Sequence, residues 1–283
     1  MSDSHGSVLI VTKAGGGAAA ELGITISRWL AARGVQSVTV EHPAPPAHVK
    51  LLEYRENCSL VLVLGGDGTF ISTAGVVIDW KIPVLGINHG RVGFLAEVSP
   101  DDWEVALENF FSNDLDISHR LVFHYEVQSG NAIVAKGVAV NDLVISRGVV
   151  ARIISFDIGQ KGQWIKHIRA DGVIISTPTG STAYNVSAGG PLVHPELPVM
   201  CLTPVCPFLN GIRPMVLPAE RPLTIEISES SGDVYITEDG RAPYPLSTGY
   251  RITVKRHEND LLLARISSNT FFEKLRSKGF LTE

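Results

Sequence analysis

The sequence predicts an α/β domain followed by a mainly antiparallel β domain. Three observations carry that expectation. Up to residue 111, short apolar strands alternate with amphipathic helical stretches, the pattern of a parallel sheet covered on both faces. Leu60-Val61-Leu62-Val63-Leu64 is an unbroken run of branched apolar residues, too short to span a membrane and suited to a strand buried on both faces. Near His119 the grammar changes: Leu121, Phe123, Tyr125 and Val127 alternate with polar or smaller residues, as a half-buried strand requires.

In chain order, Val8–Thr12 reads as a first strand, broken by Gly15-Gly16-Gly17. Leu22, Ile26, Trp29 and Leu30 recur at helical spacing, and Gly34 is placed to stop that helix. Ser37–Glu41 is a second strand, His42–Pro46 a loop, and Val49–Arg55 a weaker helix. After the buried run come a helix over Thr69–Trp80, a strand over Val84–Asn88 and a helix over Asp101–Phe111. Ligands of parallel sheets bind beyond the C-terminal ends of the strands, so Gly15–Gly17, Gly65–Gly68 and Asn88–Gly93 should share one edge.

Beyond His119, strands read at Val138–Ile145, Ile153–Ile158, Trp164–Ile168, Val173–Thr177, Val199–Thr203, Leu223–Ser228, Val234–Thr237 and Arg251–Lys255. Scarce helical spacing makes this a sandwich or a closed sheet. Leu261–Ile266 is one more strand and Phe271–Arg276 a terminal helix; nothing in the sequence assigns a late strand to either domain.

Composition limits the function classes. The 283 residues suffice for two domains with real cores, and 45% hydrophobic with 19% charged residues is ordinary globular usage. A net charge of −5 without a basic run disfavours nucleic acid. Cys58, Cys201 and Cys206 form no metal or disulfide pattern and read as free thiols in a reducing compartment, so the expected location is cytoplasmic. No signal peptide and no apolar stretch of about 18 residues is read, so no membrane partner is expected.

Chemistry concentrates in four stretches. Gly65-Gly66-Asp67-Gly68-Thr69 carries a strand into a helix. Backbone N–H groups, the helix dipole and missing Cβ atoms there suit phosphate. Asp67 is the odd member, because a carboxylate repels phosphate. It suits a proton acceptor, a magnesium ligand or a partner for a substrate hydroxyl, while Gly-Asp-Gly also reads as a plain tight turn. Neither GxGxxG nor Gly-Lys-Ser/Thr is present. In Gly86–Leu95, Phe94 reads either as core or as a wall for a planar ring, and Arg91 stands where a phosphate oxygen needs a donor. Asn141-Asp142 interrupts an apolar run, as an Asx turn or as a functional pair. Thr177-Pro178-Thr179-Gly180-Ser181-Thr182 gathers four hydroxyls before a helix, suited to ribose, amide or phosphate groups or serving only as caps. Tyr184 and Ser187 then share one helical face.

Together, Gly65-Gly66-Asp67-Gly68-Thr69, Asn141-Asp142 and Thr177-Pro178-Thr179-Gly180-Ser181-Thr182-Ala183-Tyr184, followed by Ser187-Ala188-Gly189-Gly190-Pro191, resemble the NAD kinase family over nearly the whole chain. The glycine loop alone is shared with diacylglycerol, sphingosine and phosphofructokinase relatives; the string from Thr177 to Tyr184 is the specific part. The resemblance implies a Rossmann-like α/β domain over 1–117 plus about 265–283, with the C-terminal segment returning to it, and a β-sandwich NAD-binding domain over 118–264. It implies transfer of the γ-phosphoryl of ATP, with Mg²⁺ or another divalent cation, to the 2′-hydroxyl of the adenosine ribose of NAD. Asp67 would be the base or orienting group at that hydroxyl, and Asn141 and Asp142 would hold the ribose. Phe94, Thr182 and Ala183 would wall the dinucleotide site, with Tyr184 and Ser187 toward the nicotinamide. Gly65, Gly66, Gly68 and Thr69 would meet phosphate, and Gly68 would also touch NAD. Asp171, with Arg169 beside it, would reach a neighbour's site across a subunit boundary in a homodimer or homotetramer. No residue is assigned as a metal ligand.

Asp142 stands where the family more often has Glu, His89 falls in a variable loop, and Arg241 in Glu238-Asp239-Gly240-Arg241 receives no role. Three other readings compete. A dehydrogenase would need a GxGxxG turn and a hydride-transfer acid/base pair, and the turn is absent. A lipid kinase would share the glycine loop but needs an acyl cavity and leaves the 177–184 string unexplained. A non-catalytic NAD sensor would keep 141–142 and 177–187 yet could dispense with Asp67.

Overall fold

The computed structural model describes residues 6–42, 47–88, 93–148, 153–208, 212–265 and 271–281. His89, Gly90 and Arg91, and the proline-rich connection 43–46, lie outside the described residues. The chain forms two compact units, residues 1–120 with 259–283, and residues 121–258.

In the first unit the order is β1 (Ser7–Thr12), α1 (Ala18–Ala32), β2 (Ser37–Glu41), a 3-10 stretch (Ala47–Tyr54), β3 (Cys58–Leu64), α2 (Asp67–Val77), a 3-10 turn (Ile78–Trp80), β4 (Val84–Ile87), α3 (Trp103–Phe111) and β5 (Asp116–Arg120). Helix α1 buries Ala19, Gly23, Ile26 and Leu30, one stripe at spacings of four, three and four. It stops at Gly34, whose left-handed φ of 74° lets its N–H reach Ala31 O at 3.0 Å. Leu60 to Leu64 are all inaccessible to solvent, which contributes about 1.5–3 kcal/mol per side chain. On one side of the sheet, Ile10, Leu62 and Leu85 pack with Ile26, Leu30, Trp103 and Leu107.

The second unit contains β6 (Phe123–Ser129), β7 (Ala132–Ala139), β8 (Asp142–Arg147), β9 (Ile154–Gln160), β10 (Gln163–Ala170), β11 (Gly172–Ser176), a 3-10 turn (Thr179–Thr182), α4 (Tyr184–Ser187), β12 (Val199–Val205), β13 (Met215–Pro218), β14 (Leu223–Glu229), β15 (Val234–Glu238), β16 (Tyr244–Leu246) and β17 (Tyr250–Arg256). Two six-stranded antiparallel sheets result, β10-β9-β14-β17-β6-β7 and β13-β12-β11-β8-β15-β16. Phe123, Phe156, Ile225 and Ile252 from one and Ile145, Ile175, Leu202 and Ile236 from the other share a single core, which is the expected sandwich. The span Val138–Ile145, read as one strand, is two: β7 ends at Ala139 in one sheet and β8 starts at Asp142 in the other. Val140-Asn141 is the crossing between them.

The chain then returns to the first unit through β18 (Leu261–Arg265) and α5 (Phe271–Ser277). The first sheet has the order β2-β1-β3-β4-β18-β5, with only β5 antiparallel. The strand from Leu261 therefore belongs to this sheet and not to the sandwich domain expected over 118–264. The loops after β1, β3 and β4 leave one edge of the sheet, because those three strands are parallel neighbours.

Candidate functional site

Strand β3 delivers the glycine loop to the C-terminal edge of the first sheet. Gly65 donates its N–H to Ile87 O at 2.9 Å, so it is tied into the sheet and not turned toward a phosphate. Its bare Cα makes room instead: a Cβ there would lie 3.0 Å from Thr69 Oγ1. Gly66 stands just before α2, and Asp67, Gly68 and Thr69 form the first turn of that helix. Their N–H groups have no carbonyl four residues back within the helix, and the dipole adds positive charge at this end.

The Asp67 carboxylate is held by a second loop. Oδ2 accepts the Phe94 N–H at 2.9 Å, and Oδ1 accepts those of Leu95 and Ala96 at 3.1 and 3.0 Å. A carboxylate has about four lone-pair positions, so these bonds leave one open on Oδ2. The loop comes this close only because of two glycines. A Cβ on Gly93 would sit 2.0 Å from Asp67 Oδ1, and one on Gly86 would sit 2.7 Å from Ala96 Cα. Phe94 is half-buried, with its ring centroid 5.9 Å from that of Phe280.

In the second unit the sheet crossing and the hydroxyl-rich string interlock. Thr177 donates its N–H to Asn141 O at 2.8 Å and its hydroxyl to Val140 O at 2.7 Å, while Gly180 donates to Thr177 Oγ1 at 3.0 Å. A Cβ on Gly180 would meet Asn141 O at 2.2 Å, so the two segments touch backbone to backbone. Asn185 fixes the next turn: its side-chain amide donates to Pro191 O at 2.9 Å, and its Oδ1 accepts the Thr203 hydroxyl at 2.7 Å. The buried Thr179 hydroxyl has no hydrogen-bond partner among the described residues. Thr182 and Ala183 are half-buried beside it, and Tyr184 (46% exposed) and Ser187 face solvent from one-turn α4.

Asp239 organises the crossing, and the sequence reading missed it. Its carboxylate accepts the N–H groups of Val140, Asn141 and Asp142 at 2.9, 2.7 and 3.1 Å, the same three-donor cradle that holds Asp67. Asp239 and Gly240 have left-handed φ of 50° and 69°, so the available signal was an Asp-Gly turn. Burial, and then the Asp239 charge, push the Asp142 carboxyl up to about 7. Arg241 pairs with Glu238 at 2.6 Å within the same turn.

Asp171 and Arg169 stand elsewhere. Asp171 precedes β11 and Thr177 follows it, so the strand separates them by ~20 Å. Arg147 grips Asp171 in bidentate fashion, Nε to Oδ1 at 2.7 Å and Nη2 to Oδ2 at 3.2 Å. Both line a polar cleft of about 540 Å³ with Ser155, Arg169, Glu229 and Ser231. Sequence reasoning missed Arg147, since a strand-end arginine carries no distinctive signal. No three His, Cys, Asp or Glu side chains gather as a metal cage among the described residues.

Comparison with known proteins adds the family. The model of the ATP-NAD kinase N-terminal domain matches residues 47–115, and that of the ATP-NAD kinase C-terminal domain matches residues 140–266. An NAD kinase of Oleidesulfovibrio alaskensis is 43% identical over 276 residues, covering 98% of this chain and 94% of the relative. One from Nitratidesulfovibrio vulgaris strain Miyazaki F is 44% identical over 277 residues, covering 98% and 97%. Among solved structures, a yeast NADH kinase complexed with NADH has a TM-score of 0.87 at 22% identity, covering 99% of this chain and 89% of that one. An NAD kinase from Archaeoglobus fulgidus in complex with ATP has a TM-score of 0.74 at 25% identity, covering 95% and 99%.

Proposed function

The chain belongs to the NAD kinase family, and from that premise we propose that it transfers the γ-phosphoryl of ATP to the 2′-hydroxyl of the adenosine ribose of NAD. The hydroxyl oxygen forms the new bond to the γ-phosphorus, the bond to the β,γ-bridging oxygen breaks, and ADP leaves. Asp67 takes the hydroxyl proton. What carries this reading is the cradle of three N–H groups at Asp67, with one lone pair left on Oδ2. Phosphoryl transfer rests on positioning and charge neutralisation more than on covalent chemistry by the protein, and a carboxylate fixed at three points is such a positioned base.

The remaining roles follow from that chemistry. The N–H groups opening α2, at Gly68 and Thr69, face the donor phosphates, and Gly65 and Gly66 shape the turn that admits them. Magnesium or another divalent cation carried by ATP would supply charge neutralisation at its phosphates. Asn141 and Asp142 hold the acceptor ribose; Phe94, Thr182 and Ala183 wall the dinucleotide, and Tyr184 and Ser187 lie toward its nicotinamide. Arg169 and Asp171 serve a neighbouring subunit in a homodimer or homotetramer. The three cysteines are free thiols, which supports a cytoplasmic location. No helix among the described residues is long and apolar enough to cross a membrane.

The test is NADP formation from NAD with ATP, other nucleotides and polyphosphate in parallel, and with NADH as an alternative acceptor. ATP should support turnover, and Asp67→Asn should lower it by roughly 10²-fold or more with the thermal midpoint moved by only a few degrees. No NADP with any donor overturns the proposed activity, and near-normal turnover in a folded Asp67→Asn overturns the role of Asp67.

A further inference from the structure

The three N–H groups that hold Asp67 belong to consecutive residues, Phe94, Leu95 and Ala96. One side chain from the returning C-terminal segment grips both ends of that tripeptide. Lys274 of α5 donates to Phe94 O at 3.4 Å and forms an ion pair with Glu97, the residue directly after Ala96. Both side chains are almost wholly buried, Lys274 at 8% and Glu97 at 2% exposure. No hydrogen bond from any other group among the described residues reaches either Glu97 carboxylate oxygen. Phe280, from the same returning segment, packs its ring on Phe94.

Burying two charges is costly, and a well-packed apolar pair of equal volume would be about as stabilising. Stability alone therefore does not account for the pair. Direction does: a buried ammonium fixed between a carbonyl and a carboxylate defines where the intervening backbone lies, and the N–H vectors of 94–96 define where Asp67 points. We propose that Lys274 and Glu97 are positioning residues for Asp67, fixing through the backbone of 94–96 the carboxylate that accepts the ribose proton. The inference rests on the reading of Asp67 as that base. It gives the C-terminal segment a part in the chemistry although neither residue touches substrate.

The full chain is assayed for NADP formation as Lys274→Met, Glu97→Gln, Lys274→Met/Glu97→Gln, Asp67→Asn and Asp67→Asn/Lys274→Met. Lys274→Met should lower kcat roughly 10- to 100-fold, the scale of a sub-ångström to ångström misplacement of a reacting group, with the KM for ATP within about threefold. In the Asp67→Asn background the same substitution should cost less than about twofold, because the group it positions is gone. Should Lys274→Met not fold for want of a partner for Glu97, the neutral Lys274→Met/Glu97→Gln chain, made with and without Asp67→Asn, carries the same comparison. Wild-type kcat in the folded Lys274 variants, or an equal loss in both backgrounds, overturns the inference while leaving the base in place. Normal turnover of Asp67→Asn overturns the base itself and the inference with it.

Discussion

A carboxylate inside a phosphate-type loop is a contradiction visible in one dimension, so Asp67 stands out in the sequence. Its holders do not, since the donating N–H groups lie 27 to 29 residues further on, and backbone donors have no residue identity to read. Asp239 was hidden for the same reason at 97 to 99 residues from its donors. In each cradle three backbone N–H groups hold one carboxylate. Burial raises the Asp239 carboxyl, and burial together with the Asp239 charge pushes that of Asp142 up to about 7. An unfolded aspartyl gives up its proton near pH 4, so the folded chain holds an extra proton between about 4 and 7. The stabilisation this brings is complete below about pH 4 and lost as pH rises through about 7. Asp142→Asn cannot titrate, so the thermal midpoint of wild type relative to this variant should fall as pH rises from about 4 to about 7 and then level off; a difference independent of pH would refute the shift. Assayed at about pH 8 or above, where the Asp142 carboxyl is ionised, the same variant should lower kcat/KM for NAD roughly 10- to 150-fold, the loss of one charge-assisted hydrogen bond, and affect ATP less. Equal effects on both substrates would point to folding instead.

Elements were legible where periodicity was strong and ambiguous where an apolar run fits two environments. The buried run Leu60–Leu64, the helix stripe of α1 and the alternation from Phe123 to Val127 each have one physical solution, and each formed as expected. Leu261–Arg265 did not announce its sheet, because a short apolar strand packs equally well in either unit and only its pairing with β4 and β5 decides. Val138–Ile145 looked continuous because apolar residues flank the polar pair on both sides; the break is made by the Asp239 cradle, which peels the chain from one sheet to the other. The specific string from Thr177 works as an element rather than a set of hydroxyls. Thr177 anchors it to the crossing, and Gly180 lets the two backbones touch. Gly180→Ala places a methyl 2.2 Å from Asn141 O, a contact with backbone that no rotamer relieves. The variant should lose about 1–3 kcal/mol of stability, the usual range for overpacking, and kcat/KM for NAD should fall more than for ATP. A variant with wild-type stability and NAD kinetics would show that the crossing and the string do not depend on this contact.

At the scale of the whole chain, strand β11 separates two sets of expected NAD residues, Asn141-Asp142 with the Thr177 string at one end and Asp171 with Arg169 at the other. Within one chain Asp171 already has a partner, the bidentate Arg147, and an exposed ion pair is screened by solvent, so stability alone gives it little weight. Two accounts of Asp171 then compete. As a structural pair it matters to its own chain alone, and Asp171→Ala should alter activity little. As a group serving a neighbour's site it should be needed by the assembly, and the loss should be repairable by another subunit. Asp67→Asn and Asp171→Ala, each inactive alone on the second account, provide the discriminating mixture. Co-refolded in equal amounts as isologous dimers, half the dimers are mixed, and each mixed dimer has one site with both carboxylates intact and one with neither. On the order of a quarter of the wild-type activity should therefore return. Recovery is a readout that misfolding of either variant cannot produce, since it requires both chains folded and associated. No recovery from oligomers demonstrated to be mixed would mean that each site draws Asp67 and Asp171 from a single chain, and Asp171→Ala with normal activity would return Asp171 to a purely structural role with Arg147.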